Sequence, residues 1–128
     1  MLDPRWRDRA VSPHQALSWV KSGNRVFVQG AAATPLGLLD ALCLQTALEA
    51  VTLYHLHLEG PCAFVEPEHV GRFFSISLFV GPRMRKPVEE GRADFMPVFL
   101  SAVPKLFTTR TVPLDVAIVQ VSPPDRHG

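Results

Sequence analysis

Cysteine is scarce in this chain of 128 residues, two in all, and that scarcity excludes a disulfide framework. Free thiols in a reducing compartment are the simpler expectation. Net charge is nearly absent. Thirteen Lys and Arg against twelve Asp and Glu leave a formal +1, too little to draw in nucleic acid or an anionic membrane surface. No apolar stretch reaches the roughly 20 residues of a membrane-spanning helix. The N-terminus, MLDPRWRDRA, lacks the apolar core of a secretory signal, so the expectation is a soluble, cytoplasmic protein. The chain has no G-x-G-x-x-G fingerprint, no phosphate-loop lysine motif and no internal repeat.

Apolar residues, in contrast, make up 47% of the chain, enough for one domain with a real core. The twelve prolines stand at element boundaries, so they punctuate structure rather than mark disorder. Residues 1–11, with Arg5, Arg7 and Arg9 alternating, read as a flexible, solvated arm. Residues 12–128 read as the folded part.

That part alternates helix and strand. Ser12, Pro13 and Gln15 form a helix start with a capping box, and Ala16, Trp19 and Val20 share its inner face. Lys21-Ser22-Gly23 stops it. Arg25–Gln29 is a short strand. The small-residue loop Gly30–Thr34 follows, then a helix capped by Thr34, opened by Pro35 and running to about Glu49, with Leu38, Leu39, Leu42 and Cys43 inward. Such a loop lets a ligand approach the backbone, and free amides at a helix start favour anions or carbonyl oxygens. A tight strand-to-helix turn with no ligand explains the same residues.

Val51–Leu58 is a second strand, where the period of two puts His55 and His57 on one face. With Cys62 or His69 this pair invites a metal. However, zinc needs three or four converging ligands and no tight Cys/His cluster is present, so histidines satisfied beneath a helix are the preferred reading. Glu66–Val70 forms a helical turn. Phe73–Val80 is a third strand, with Phe73, Ile76, Leu78, Phe79 and Val80 packing. After Gly81-Pro82, a short helix opens at Pro87 and ends at Gly91. Arg83, Arg85, Lys86 and Arg92 cluster around it, either to hold phosphates or to pair in solvent with Glu89 and Glu90. Asp94–Leu100 is extended, and Ser101 caps a helix over Ala102–Phe107 with Pro104 in its first turn.

The final apolar run, Leu114 to Val121, reads as a strand buried on both faces in the middle of a parallel sheet. It leads to the polar turn Ser122–Gly128, and ligands in open α/β sheets bind beyond the carboxyl ends of strands. The fold class is therefore α/β: an open, largely parallel sheet with helices on both faces. With no helix after Gly128 to cover that strand, the domain is expected to be incomplete.

Several of these strings resemble the N-terminal domain of the acetyl-CoA hydrolase/transferase family, the family I coenzyme A transferases. The strings are SLFVGPRMRKPVEEGRADFMPVFLSAVPKLF (residues 77–107), the terminal VSPPDRHG (Val121–Gly128), VQGAAATP (Val28–Pro35) and Lys21–Val26. Together the resemblance covers about residues 12–128. It implies two similar α/β domains with the catalytic glutamate in the second. It also implies a reaction through an acyl-glutamyl anhydride and a glutamyl-CoA thioester, with coenzyme A and acyl-CoA as substrates rather than bound cofactors. None of Glu49, Glu59, Glu66, Glu68, Glu89 and Glu90 sits in the family's catalytic motif. This chain is then the N-terminal part of such an enzyme, inactive alone. Its partners are a C-terminal catalytic domain in cis or in trans, acyl-CoA and small carboxylates, and a second copy in a homodimer.

On the same resemblance, the cleft residues are Gln29, Gly30, Ala31, Ala32 and Thr34, then Gly81, Arg83 and Arg85, and then Ser122, Pro123 and His127. Two departures stand out. Gly81-Pro82-Arg83-Met84-Arg85 replaces the family's frequent Gly-Gly-Asn-Thr-Arg, and Thr34 stands where many relatives have glutamate. A non-catalytic α/β binding or assembly subunit is the alternative. A sugar-phosphate isomerase on the same general fold would need an acid/base carboxylate beside a phosphate loop. The carboxylates near the basic cluster are Glu89, Glu90 and Asp94, in a string the family resemblance already covers.

Overall fold

The computed structural model describes residues 5–123. Five strands, β1 (Arg25–Val28), β2 (Val51–His55), β3 (Phe73–Ser77), β4 (Ala93–Phe95) and β5 (Val116–Ile118), form one sheet in the order β4-β3-β2-β1-β5. Every pairing is parallel, with Val26 opposite Leu53 and Val116, and Leu53 opposite Ser75. Helices α1 (Arg5–Arg9), α2 (Pro13–Leu17), α3 (Leu36–Cys43), α4 (Pro82–Glu89) and α5 (Val103–Thr108) connect or flank them. No helix among the described residues is long and apolar enough to cross a membrane.

The parallel α/β expectation holds, but the last strand is misplaced in it. β5 lies at the sheet edge, pairs only with β1 and is three residues long. Of its apolar run Ile118 is buried, while Val119 and Val121 are exposed, Val121 by 78%. An almost unbroken apolar run shows that a strand can be buried, not where in the sheet it lies. β1, β2 and β3 form the interior because each pairs on both sides, with β2 at the centre.

Strand alternation sorts the side chains onto two faces. Val26, Val28, Leu53, His55, Phe73, Ser75 and Ser77 share the face under α2, α3 and α4, where Leu17, Val20, Leu39, Leu42, Phe64 and Met84 complete the core. Phe27 points to the other face and meets Phe107 of α5 edge-on at 5.5 Å. Phe74 on that face stays 40% exposed.

Local signals set several boundaries. The Ser12 hydroxyl accepts the Gln15 amide at 3.2 Å, as its capping role requires. But α2 stops at Leu17, so its periodicity never reaches Trp19, which is 78% exposed; Leu17 and Val20 are the buried pair. The charged segment read as an arm contains α1, with Trp6 half-buried and the Arg7 guanidinium over its ring at 5.4 Å. α3 ends at Cys43, short of Glu49. Arg72 Nη2 donates to the carbonyls of Cys43 and Gln45 at 2.9 and 2.8 Å and satisfies acceptors left open at the helix end. α4 begins at Pro82, not Pro87; Pro82 takes the first turn and Pro87 lies buried inside the helix. Leu100–Ala102 is a 3₁₀ turn, so α5 begins at Val103 and Ser101 does not cap it.

His55 is fully buried. Its Nε2 lies 2.5 Å from Ser75 Oγ, its Nδ1 bonds the Leu56 carbonyl, and Ser75 Oγ donates to Met84 Sδ at 3.7 Å. This histidine is satisfied in the core, as read from the sequence. Burial lowers its pKa to about 4, while in the unfolded chain it titrates near ~6.5. Between those values the unfolded chain binds the extra proton, so the stability from neutral His55 is complete above about 6.5 and is lost as pH falls toward 4. We expect the slope of unfolding free energy against pH in this window, from denaturant titrations, to be shallower in His55→Asn by up to about one proton. An unchanged slope would assign the acid sensitivity elsewhere.

Candidate functional site

The carboxyl ends of β1, β2 and β3 converge on one residue, His57. Gly30, just beyond β1, lies so close that a Cβ on it would stand 2.3 Å from the His57 carbonyl oxygen. That oxygen also accepts the Ala31 amide at 3.0 Å. Gly81, just beyond β3, would place a Cβ 3.2 Å from His57 Cβ. The imidazole of His57 packs edge-on against Phe79 at 5.6 Å, whereas His55 packs on Phe64. β2 ends at His55, so the strand period does not carry on to His57 and the two histidines sit in different surroundings. Among the described residues no three His, Cys, Asp or Glu side chains converge as metal ligands would.

The small-residue loop is a bonded turn. Ala31–Ala33 is one 3₁₀ turn, entered with Ala31 at φ +52°. Besides the Ala31 amide, those of Ala33 and Thr34 donate to Gly30 and Ala31 carbonyls at 3.2 and 3.1 Å. At the start of α3, Leu36 donates to Thr34, and Leu38 and Leu39 both donate to Pro35. The free helix-start amides expected here are therefore largely spent within the chain. Thr34 does not cap α3; Pro35 holds that position and the Thr34 hydroxyl turns back to the Ala31 carbonyl at 2.7 Å.

The other sequence-predicted residues fall along the same sheet edge. Gln29 Oε1 accepts the Gln120 amide at 2.7 Å and ties the exit of β1 to that of β5. Ser122 and Pro123 follow β5 and are exposed, as is Ala32. Arg83 and Arg85 are exposed on α4. The four-cation cluster divides. Arg92 turns away, bonded to the Val65 carbonyl and paired with Glu90 at 2.5 Å, and Lys86 faces Glu90 at 3.6 Å. The hydrogen bonds from Arg92 hold the Glu90 carboxyl below its ordinary range. Cys62, buried with φ +52°, has its thiol pushed up to about 11 by burial, against the pull of Arg83. His127 lies outside the described residues.

Sequence reasoning missed the apolar half of this edge. Leu56, His57, Leu78, Phe79, Val98, Leu100 and Val103 line a cleft of about 320 Å³ at the ends of β2 and β3. Around it Phe79, Phe95, Phe99 and Leu100 are exposed, Phe99 by 84%. Phe79, a packing residue by its sequence, thus lies on an open face. Aromatic residues after a strand carry no signal that distinguishes a core from such a face.

Two glycines give opposite expectations. Gly30→Ala drives a methyl into the His57 backbone and should destabilise by ~1–3 kcal/mol, as overpacking does. Gly37, in α3, has nothing within 4 Å of the place a Cβ would take, so Gly37→Ala should stabilise by ~0.5–1 kcal/mol. Denaturant midpoints compare them directly, and equal effects would sink the contact argument.

Comparison with known proteins follows the same line. The acetyl-CoA hydrolase/transferase N-terminal domain matches residues 3–128. A succinyl-CoA:acetate/propanoyl-CoA:succinate CoA transferase of Fasciola hepatica is 42% identical over 98% of this chain and 26% of its own length. A 4-hydroxybutyrate coenzyme A transferase of Clostridium kluyveri is 32% identical over 96% of this chain and 29% of its own. The chain thus spans between a quarter and a third of the curated relatives it matches. Among solved structures, RipA from Yersinia pestis superposes with a TM-score of 0.86 at 23% identity, over 99% of this chain and 32% of RipA. A 4-hydroxybutyrate CoA-transferase from Porphyromonas gingivalis superposes with 0.73 at 28%, over 97% of this chain and 27% of its own. By its sequence and its parallel sheet, this chain belongs to the acetyl-CoA hydrolase/transferase family, over that family's N-terminal domain.

Proposed function

We propose that this chain is the N-terminal part of an enzyme that moves coenzyme A between small carboxylic acids, with its nucleophilic glutamate outside residues 1–128. The observation that carries this reading is the match of nearly the whole chain to one end of proteins named as CoA transferases. Glu49, Glu66, Glu89 and Glu90 are exposed and lie at the amino end of β2, in a surface turn and on or just after α4. Glu59 is exposed in the segment after β2, and Glu68 is exposed in the 3₁₀ turn Pro67–His69.

The chemistry follows from a carboxylate acting as nucleophile. The glutamate attacks the acyl-CoA carbonyl and expels the CoA thiolate, leaving an acyl-glutamyl anhydride. The thiolate then attacks the glutamyl carbonyl, releases the free carboxylate and leaves a glutamyl-CoA thioester. An acceptor carboxylate reverses these two steps and leaves as the new acyl-CoA; water in its place gives hydrolysis. The part of this chain is the wall beside those atoms. Ala32 and Ser122 lie exposed at the carboxyl ends of β1 and β5, the edge where open parallel sheets bind ligands. Arg83 and Arg85 add positive charge near the end of β3, suited to an anionic substrate.

The exposed Phe79, Phe95, Phe99 and Leu100 favour this reading over a stand-alone binding subunit. A closed subunit would bury an apolar face of this kind, whereas an enzyme part leaves it for the catalytic domain to cover. A homodimer and coenzyme A binding at the same edge belong to the same proposal.

The test uses the full-length protein with an acyl-CoA and no acceptor. Peptide mass spectrometry after trapping should place a CoA adduct on a glutamate beyond residue 128. An adduct on Glu49, Glu59, Glu66, Glu68, Glu89 or Glu90 would overturn the placement, and CoA exchange without any adduct would overturn the covalent mechanism.

A further inference from the structure

Thr34 stands among the residues expected to meet substrate, yet its side chain faces inward. It is 6% exposed. Its hydroxyl donates to the Ala31 carbonyl at 2.7 Å and accepts the Glu59 amide at 3.1 Å. The Thr34 amide donates to that same Ala31 carbonyl at 3.1 Å. The Ala31 amide in turn bonds the His57 carbonyl at 3.0 Å. These bonds close a ring between the segment after β1 and the segment after β2. Ala31, in the middle of it, holds a left-handed φ of +52°, a conformation its Cβ disfavours and its surroundings must impose.

We propose that Thr34 is a positioning residue: its hydroxyl locks the Gly30–Ala33 loop onto residues 57–59 and so presets the wall of the substrate cleft. The proposal rests on reading this edge as the substrate side. Threonine suits the task physically. One hydroxyl serves as donor and acceptor together, and a β-branched side chain is stiff about χ1, so it holds both bonds at little cost in rotamer freedom. The exposed neighbour Ala32, not Thr34, is then the residue of this loop that meets substrate. Glutamate at position 34 would carry charge into a buried spot that here accepts a backbone amide.

The test compares Thr34→Val, which keeps the shape and loses both bonds, with Thr34→Ser, which keeps both bonds and loses the methyl, each in the full-length protein. Two readings are taken. Amide hydrogen exchange at Glu59 should quicken by about tenfold or more in the valine variant and stay near wild type in the serine variant. With acetyl-CoA and succinate as probes, kcat/KM for CoA exchange should fall by about tenfold in the valine variant and be restored by serine. Unchanged Glu59 exchange in Thr34→Val would remove the lock. Faster exchange with unchanged kinetics would leave a structural bond with no positioning role. An equal kinetic loss in Thr34→Ser would mean that substrate meets the methyl directly. Should the valine variant fail to fold, Thr34→Ala opens room for water at the Glu59 amide and answers the same question. A wild-type protein without CoA exchange would sink the functional reading and the positioning role with it, while amide exchange would still report whether the lock exists.

Discussion

One carbonyl, that of His57, governs the carboxyl edge of this sheet. It takes the Ala31 amide and at the same time presses against the bare Cα of Gly30. The second contact leaves no room for a side chain at position 30 unless the His57 backbone shifts; the first pins the loop that follows. Gly81 leans on the same residue from the β3 side. Three strand ends are thereby gathered around one short segment, and the order of the parallel sheet is what brings them there. β2 lies between β1 and β3, so its exit has a neighbour on each flank.

Beneath that edge, several buried polar groups bond to one another across the core. His55 joins Ser75, and Ser75 reaches Met84, a chain that ties β2, β3 and α4 together across the core face. Arg72 closes the end of α3, and Arg92 joins the segment after α4 to the Val65 carbonyl. Cations that looked available as a group are in part structural. Burial lets such bonds matter, because an unmet carbonyl or imidazole nitrogen in the core costs more than an exposed one.

The surface divides along the same edge. Around Gly30 and Ala31 it is made of backbone and small residues. Around Phe79 and Phe99 it is aromatic and open. Under the proposed function, the first part is the side that flanks the substrate. The second suits contact with more protein. The chain spans between a quarter and a third of the length of the curated relatives it matches.

Much of this was legible in the residues. The alternation of β-branched runs with capped apolar segments announced a parallel α/β sheet, because strand and helix periods are properties of local sequence. The strings around Glu90–Ser101 and Val28–Pro35 announced the family, and the loops they mark do lie on one sheet edge. What the residues left open depends on distant partners. The rank of β5 in the sheet depends on which side of β1 was vacant, not on its own apolar content. The last carbonyl of α3 is met by Arg72, 29 residues away. The fixing of the small-residue loop depends on His57, whose carbonyl takes the Ala31 amide, and on Glu59, whose amide the Thr34 hydroxyl accepts. Local sequence determined which segments form strands and helices and which family they serve. Only the tertiary structure decided which polar groups are used up inside the fold and which face outward, since hydrogen-bond partners far apart in sequence meet only once the chain has folded.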